Sequence, residues 1–286
     1  MNDRPDPAVG PGVDAATEAT ADPTADPLDD FERRDLTFDD GTGDVTRRTY
    51  VAGAGPAVIV LTEMPGITPE VARFARWVRD AGFTVWMPSL FGVDGATGTL
   101  EAALETMATP CIRRELTAFA EGRPSPMVAW LRRLAAHAHA SCGGPGVGAV
   151  GMCFTGGFAL GMTLEPSVLA PVMCQPSIPL DEPELTFVRD EDLAAARRRL
   201  DADDLTVRAY RFDGDPYCPA ARFAAFEQAL GDRFEPRVLP DGAAAPGGWT
   251  GVPHSVVTTH LVDGAGQPTA QARDEIISFC ATRLRS

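Results

Sequence analysis

The stretch Val147-Gly-Ala-Val-Gly-Met-Cys153-Phe-Thr-Gly-Gly157-Phe-Ala-Leu160 joins a small, β-branched run to a plausible helix start. A strand, a sharp turn and a helix in this order are typical of a nucleophile elbow, G-x-S-x-G, here with cysteine in the serine position. We expect side chains at Gly151 or Gly156 to collide with neighbouring backbone in so tight a turn. The pattern predicts that Cys153 is exposed at the N-terminus of the next helix, where the helix dipole favours a thiolate.

The same stretch also fits a purely structural interpretation. Free cysteine is among the most buried residue types, so Cys153 could simply pack inside a glycine-rich strand-to-helix turn. A cysteine nucleophile needs a base, and the base needs an orienting carboxylate. The rest of the chain therefore decides between the two interpretations.

The charged residues exclude several classes of function. The 286 residues carry a net charge of −15, and all 25 basic residues are arginine. Without lysine, the chain has no lysine nucleophile, no Schiff-base lysine and no P-loop lysine. An acidic chain also argues against nucleic acid or an anionic membrane as the main partner.

The cysteines and the apolar runs predict the compartment. No cysteine pair has C-x-x-C or Cys/His ligand spacing, so we expect reduced thiols in a cytoplasmic protein, with neither disulfides nor a metal site. No secretory signal is visible, and no run approaches the roughly 18 apolar residues of a membrane span. The six cysteines are Cys111, Cys142, Cys153, Cys174, Cys218 and Cys280.

Strands and helices are predicted to alternate along the chain. Residues 1–31 are rich in Asp, Pro, Ala and Thr, so we expect a disordered acidic tail before a single domain over 32–286. A β-hairpin over 34–51 opens that domain. Further predicted strands are 57–61, 83–88, 147–152, 168–174, 205–212 and 234–239, and predicted helices are 71–81, 99–120, 126–140, a helix from 155, 191–200, 219–230 and 270–284. This alternation predicts an α/β fold with a mostly parallel sheet covered by helices on both faces.

Two of the four histidines are candidates for the base. In the α/β-hydrolase arrangement the chain order is nucleophile, acid, histidine. His137 and His139 precede the elbow and are expected to face solvent from a polar helix face. His254 and His260 lie between the last strand and the last helix, where the base belongs. We favour His254 because it follows a Gly/Pro-rich loop, and His260 remains the alternative.

Three acidic residues stand at predicted strand ends. Asp215 lies just past a strand, in Phe212-Asp-Gly-Asp-Pro216, and is the candidate acid of a triad, although Asp before proline is also a common turn former. Asp213 is closer to the strand itself. Glu63 ends an apolar strand, where a carboxylate is costly unless it is solvated or paired, so we interpret it as a second acid beside Cys153.

An oxyanion hole is predicted beside the nucleophile. One donor comes from the residue after the nucleophile and one from the early strand–helix loop. The backbone N–H groups of Phe154 and Met64 occupy those two positions.

Together these segments resemble the dienelactone hydrolases of the α/β-hydrolase superfamily. The likeness is carried by Glu63-Met-Pro-Gly66, by Gly151-Met-Cys-Phe-Thr-Gly-Gly157, by Asp215-Pro-Tyr-Cys-Pro219 and by His254-Ser255. The resemblance implies a Cys153–His254–Asp215 triad and makes Glu63 the partner that helps to generate the thiolate. It implies attack on a small-molecule ester or lactone, as in carboxymethylenebutenolidase, through an acyl-enzyme and without a metal or organic cofactor.

The chain also departs from the usual form of that family. It adds the acidic N-terminal extension and a long Gly/Pro/Ala loop over 241–253, and the family's arginines for a substrate carboxylate have no clear match. Arg113 and Arg114 lie in the right region and are the candidate substrate-binding residues. Ester or lactone hydrolysis by a monomer or small homo-oligomer is therefore expected, and the sequence leaves open which ester or lactone is the substrate.

Two other classes share parts of this pattern. Class I glutamine amidotransferases also have a G-x-C-x-G elbow, but they follow it with His-x-Glu, and neither His254-Ser-Val nor His260-Leu-Val supplies that glutamate. A non-catalytic protein of the same fold could instead bind a ligand or sense oxidants through Cys153. Such a binder is expected to lack the acid or the histidine of the triad, and both candidates are present.

Overall fold

A central sheet with flanking helices organises the molecule. The computed structural model describes residues 24–180, 182 and 184–285. Within them the strands are β1 (Glu32–Asp39), β2 (Asp44–Gly53), β3 (Ala57–Val60), β4 (Thr84–Pro88), β5 (Val147–Met152), β6 (Val168–Cys174), β7 (Val207–Phe212) and β8 (Phe234–Leu239). The α-helices are α1 (Pro69–Asp80), α2 (Leu100–Met107), α3 (Pro110–Ala120), α4 (Pro126–Cys142), α5 (Gly156–Met162), α6 (Asp190–Ala202), α7 (Ala220–Leu230) and α8 (Pro268–Leu284).

The strands pair in the order β1-β2-β4-β3-β5-β6-β7-β8. The β1–β2 hairpin and the β2–β4 pair are antiparallel, and every other pair in the described sheet is parallel. This confirms the predicted hairpin and mostly parallel sheet. Parallel strands bring their carboxyl ends to one edge, so the segments after β3, β5 and β7 meet there.

Alternate side chains of the strands face two separate cores. Val58 and Val60 of β3 pack with α1 and α8, whereas Ala57 and Ile59 pack with α4. Because successive side chains of a strand point to opposite faces, a continuous apolar run is what a strand covered on both faces requires. The central strands β3, β4 and β5 are buried throughout and support the loops at the carboxyl edge of the sheet.

The end of the disordered tail was predicted at residue 31, but the folded part of the chain begins before that residue. Residues 1–23 lie outside the described residues, but Leu28 and Phe31 are buried in the core that contains α1. Asp26 and Asp30 hydrogen-bond to Arg76 of α1, at 2.5 Å and 2.7 Å, and this hydrogen bond holds the pKa of Asp30 well below its usual range. Burial of these two apolar side chains and the ion pairs of Arg76 with the two carboxylates hold the segment 24–31 against the domain. The overall composition of the segment, which is acidic and rich in proline, does not indicate these contacts.

The single helix predicted over 99–120 is also wrong. The chain forms two helices, α2 and α3, separated at Ala108 and Thr109. Pro110 begins α3, and the residue before a proline is driven out of the helical region, as the ψ of 150° at Thr109 shows. The break turns α2 into a short separate helix beside the carboxyl edge of the sheet.

Among the described residues, none of the helices is both long enough and apolar enough to cross a bilayer.

Candidate active site

The elbow holds Cys153 in a strained backbone conformation. Cys153 has a φ of 51°, and it opens a short 3₁₀ turn, Cys153–Thr155, between β5 and α5. The prediction that Cys153 is exposed is wrong, because the side chains around the cavity described below cover it and leave it only 7% exposed. A non-glycine residue at positive φ is uncommon and persists only where the surroundings impose it. The expected collisions are confirmed, since a Cβ on Gly151 would lie 2.3 Å from the Thr155 carbonyl oxygen and one on Gly156 would lie 2.7 Å from the Cα of Pro176.

Thr155 ties the elbow to the end of β3. Its hydroxyl oxygen accepts a hydrogen bond from the backbone N–H of Met152 at 3.0 Å and lies 2.9 Å from the carbonyl oxygen of Thr62. This contact fixes the turn that carries Cys153 against the segment that carries Glu63 and Met64. The two segments predicted to form an oxyanion hole are therefore neighbours.

His254 and Asp215 form a buried pair. The Nδ1 of His254 lies 2.7 Å from Oδ2 of Asp215, and both side chains are almost fully buried. The other carboxylate oxygen of Asp215, Oδ1, accepts a hydrogen bond from the backbone N–H of Tyr217 at 2.9 Å. With both oxygens engaged, the carboxylate has one orientation, and it makes Nδ1 the protonated nitrogen of the imidazole.

The second nitrogen of His254 faces the cavity side of the site. Its Nε2 lies 3.2 Å from the hydroxyl oxygen of Ser177, which donates to the carbonyl oxygen of Gln175 at 2.7 Å. Burial lowers the pKa of His254, but the charge of Cys153 and the hydrogen bonds to Asp215 and Cys153 outweigh burial and raise the pKa well above its usual value. The imidazole therefore readily holds a proton while it faces Cys153.

His260 supports the backbone that carries His254. Its Nδ1 accepts hydrogen bonds from the N–H groups of His254 and Ser255, at 3.3 Å and 3.1 Å, and its Nε2 lies 3.1 Å from the carbonyl oxygen of Gly247. Burial lowers the pKa of His260. Both ring nitrogens are thus occupied by the backbone, which favours His254 as the base.

The two earlier histidines lie away from the site. His137 packs edge-on against Trp86, with ring centroids 5.6 Å apart, and His139 lies 3.0 Å from the carbonyl oxygen of Gly144. Both are half-buried. The expectation that they face solvent is therefore wrong, because α4 packs them against the sheet and its own C-terminal turn.

Glu63 is buried and bound by hydroxyl and amide groups. Its carboxylate accepts hydrogen bonds from Ser255 Oγ at 2.8 Å, from Thr258 Oγ1 at 2.5 Å and from the side-chain amide of Gln175 at 3.2 Å. Burial raises the pKa of Glu63. These hydrogen bonds, two of them from the loop that carries His254, offset the free-energy cost of burying a carboxylate at this strand end. Among the described residues, Cys153 is not one of the hydrogen-bond partners of Glu63.

A cavity of about 260 Å³ opens over Cys153 and His254. Both predicted oxyanion-hole residues, Met64 and Phe154, line it beside Cys153. The remaining lining residues come from α2, from the segment after β6 and from the loops before α7 and His254: Leu100, Ala103, Leu104, Met107, Ser177, Ile178, Leu180, Tyr217, Trp249 and Thr250. The candidate nucleophile, base and oxyanion donors therefore share one ligand-sized space.

The two candidate substrate-binding arginines lie outside this lining. Arg114 forms an ion pair with Asp40 of the β1–β2 turn, with Nη2 2.6 Å from Oδ2. Arg113 is exposed on α3 and is likewise absent from the cavity wall. The structure thus gives Arg114 a role in holding the hairpin, and it does not bring either arginine to Cys153.

Comparisons with known proteins identify the family. The model of the dienelactone hydrolase family matches residues 46–190, which is half of the chain and includes Glu63 and Cys153. The chain belongs to the dienelactone hydrolase family. A comparison with curated protein sequences finds no significant match.

Solved structures share the α/β-hydrolase fold of this family member. A dienelactone hydrolase-like promiscuous phosphotriesterase from metagenomic libraries is 17% identical, with a TM-score of 0.57 over 89% of this chain and 99% of the other. A dienelactone hydrolase from Anabaena variabilis is 14% identical, with a TM-score of 0.53 over 90% and 100%. A cold-adapted esterase from an Arctic intertidal metagenomic library is 13% identical, with a TM-score of 0.57 over 92% and 98%.

One buried arginine near the site was not anticipated from the sequence. The guanidinium of Arg222, at the start of α7, donates to five backbone carbonyl oxygens and is fully buried. The acceptors are Leu185, Pro176, Tyr217, Pro179 and Glu182. In this dienelactone hydrolase family member, Arg222 therefore fastens the segment after β6, which carries Ser177, to the loop that carries Asp215.

The described residues hold no cluster suited to a metal ion. Across 24–180, 182 and 184–285, no group of three or more His, Cys, Asp or Glu side chains is arranged to bind one.

Proposed function

We propose that this protein hydrolyses small esters or lactones through a thioester on Cys153, with His254 as the base and Asp215 as its orienting acid. The observation that carries the proposal is the buried His254–Asp215 pair, 2.7 Å apart, facing a cavity that Cys153 also lines. The chain order of Cys153, Asp215 and His254, which is that of nucleophile, acid and base in a hydrolase triad, supports the same assignment. Membership of the dienelactone hydrolase family supports the same reaction class.

In the first half of the reaction, His254 Nε2 takes the proton of the Cys153 thiol. The thiolate attacks the carbonyl carbon of the ester or lactone, and the new C–S bond pushes the carbonyl electrons onto oxygen. The N–H groups of Met64 and Phe154 stabilise that oxyanion. When the oxyanion collapses, the C–O bond breaks, and the leaving alkoxide takes the proton from His254 to depart as an alcohol.

In the second half, water enters beside the thioester. His254 Nε2 removes a proton from the water, whose oxygen attacks the thioester carbonyl and forms a second oxyanion in the same pair of N–H groups. Its collapse breaks the C–S bond, and the thiolate recovers the proton from His254. The products are a carboxylic acid and an alcohol, or one hydroxy acid from a lactone.

Glu63 contributes by positioning the base. Its hydrogen bonds to Ser255 and Thr258 hold the segment that begins at His254. Because burial raises its pKa, the carboxyl group can also take up a proton without leaving the site. Its proposed role as a partner of the resting thiol would act through this change of protonation.

The proposal is tested by hydrolysis of 4-nitrophenyl butyrate and of a simple γ- or δ-lactone by the purified protein. We expect rate accelerations on the order of 10⁶-fold or more over the uncatalysed reaction for at least the aryl ester. Inactivation by iodoacetamide should follow the alkylation of Cys153, and saturating ester should slow it. If no ester or lactone is hydrolysed and Cys153 instead forms a reversible sulfenic acid with peroxide, the protein is the thiol-sensing member of the fold.

A further inference from the structure

The wall of the cavity over Cys153 is almost entirely apolar. We infer that the substrate is an uncharged ester or lactone with a small apolar acyl group, and that a carboxylate-bearing dienelactone is a poor substrate. This inference rests on the proposed hydrolase function. It is carried by the apolar residues of α2, by the lack of an arginine in the described wall and by the volume of the cavity.

Helix α2 and the segment after β6 present apolar side chains at the cavity mouth. Leu100 and Leu104 of α2 remain 56% and 62% exposed, and Leu180 after β6 remains 55% exposed. All three line the cavity, together with the thioether of Met107. Exposed apolar side chains that cluster at the rim of a concave site are typical of a surface that an apolar ligand covers.

The described wall holds no arginine for a substrate carboxylate, and its one cationic group is the imidazole of His254. Its titratable side chains are those of Cys153, Tyr217 and His254. The imidazole of His254 is already paired with Asp215. A carboxylate bound here would lose its water and would have to share the one imidazole with Asp215, and such burial is unfavourable.

A carboxylate behind the wall acts in the same direction. Asp215 is buried against His254, and its negative charge weakens the attraction of the imidazole for an anion. The only cationic side chains of the chain besides histidine are arginines, and Arg113 and Arg114 do not reach the cavity. A neutral acyl group avoids both penalties.

The volume of the cavity limits the acyl group to a short chain. At about 260 Å³, it lies just below the range of pockets that enclose drug-sized ligands. Each methylene that enters an apolar wall should raise kcat/KM by about fourfold. We expect this rise along a series of straight-chain 4-nitrophenyl esters, followed by a plateau when the cavity is full.

The inference is tested with two esters that differ only at the end of the acyl chain. The substrates are 4-nitrophenyl hexanoate and the mono-4-nitrophenyl ester of adipic acid, which replaces the terminal methyl with a carboxylate. We expect kcat/KM to favour the hexanoate by about 100-fold or more, because the adipate ester must bury an unpaired charge. The reaction is followed by release of 4-nitrophenolate at one ionic strength.

A substitution at the cavity mouth provides the internal comparison. Leu104→Arg places a guanidinium at the rim and should reduce the preference for hexanoate by about tenfold, by pairing with the adipate carboxylate. Val238→Arg, at a half-exposed apolar position of β8 that does not line this cavity, is the matched control and should keep the wild-type preference.

The outcomes separate the two levels of the proposal. Equal kcat/KM for both esters, or a preference for the adipate ester, overturns the neutral-substrate inference and leaves the hydrolase function standing. If Leu104→Arg keeps the wild-type preference for the hexanoate ester, the inference that Leu104 contacts the end of the acyl chain is also overturned. Failure to hydrolyse either ester above the rate of Cys153→Ala overturns the hydrolase function and the inference with it.

Discussion

Cys153→Ala is expected to lower kcat/KM for 4-nitrophenyl butyrate by on the order of 10⁴-fold or more, because the alanine side chain cannot form the thioester. The rest of the site, including the His254–Asp215 pair and the two N–H donors, stays in place. Residual activity should therefore resemble that of water attack assisted by the oxyanion hole alone. The measurement is steady-state release of 4-nitrophenolate, with circular dichroism and thermal unfolding to show that the fold is retained.

A second cysteine provides the matched control for this substitution. Cys142→Ala removes a half-buried thiol at the end of α4, where its sulfur accepts a hydrogen bond from the indole of Trp86 at 3.4 Å. Cys142 does not line the cavity, so kcat/KM should change by less than about twofold. Wild-type rates in Cys153→Ala would contradict the elbow as the source of the nucleophile.

Asp215→Asn is expected to reduce kcat/KM by on the order of 10³- to 10⁴-fold while leaving the fold intact. Oδ1 of this residue accepts the N–H of Tyr217, so the asparagine must keep its oxygen there and turn its NH₂ group toward His254. The NH₂ group then donates to Nδ1, which forces the proton of the neutral imidazole onto Nε2. With Nε2 protonated, His254 cannot take the thiol proton from Cys153.

Asp213→Asn makes the same chemical change two residues earlier. Asp213 is largely exposed, and its carboxylate lies 3.6 Å from the guanidinium of Arg211. Its kcat/KM should stay within about twofold of the wild-type value, since the carboxylate itself is exposed and Asp213 does not line the cavity. A large loss in Asp213→Asn together with a small loss in Asp215→Asn would exchange the two assignments and overturn the triad proposed above.

The core elements were predictable because their signals are local. The apolar runs of β3 and β6 agree with the sequence, since strands covered on both faces need continuous apolar side chains. The bounds of the edge strand β8 also agree, although three of its residues are exposed. The order of the strands was not predictable in this way. Strand β2 pairs antiparallel with β4 and not with β3, its neighbour in the sequence. Such pairing joins distant segments, so no local sequence pattern indicates it.

The site was predictable where the residues carry strand-end signals. Cys153, Asp215 and His254 were predicted because each follows a strand or a glycine-rich loop in the order that a hydrolase requires, and the structure brings His254 and Asp215 together. Gln175 and Ser177 escaped notice because a short polar pair after a strand resembles any loop. Their contacts with Glu63 and His254 exist only through the tertiary fold.

The burial of Arg222, Leu28 and Phe31 was not predicted, because it depends on the tertiary fold. Arg222 lies in an ordinary helical stretch of the sequence, yet its guanidinium is buried among five backbone carbonyl oxygens. Leu28 and Phe31 are two apolar residues in an acidic, proline-rich stretch, and their burial depends on the groove beside α1. The break before Pro110 was the one error that the sequence could have prevented, because proline restricts the residue that precedes it.

The central claim is a thioester on Cys153, and acid-quenched mass spectrometry tests it most directly. The wild-type protein is mixed with excess 4-nitrophenyl butyrate, quenched in acid within the first turnovers and measured intact, then digested to locate the adduct. We predict a mass increase of one butyryl group, confined to the peptide that contains Cys153 and absent from Cys153→Ala. Ester turnover with no adduct, or with the butyryl group on another residue, would contradict the account.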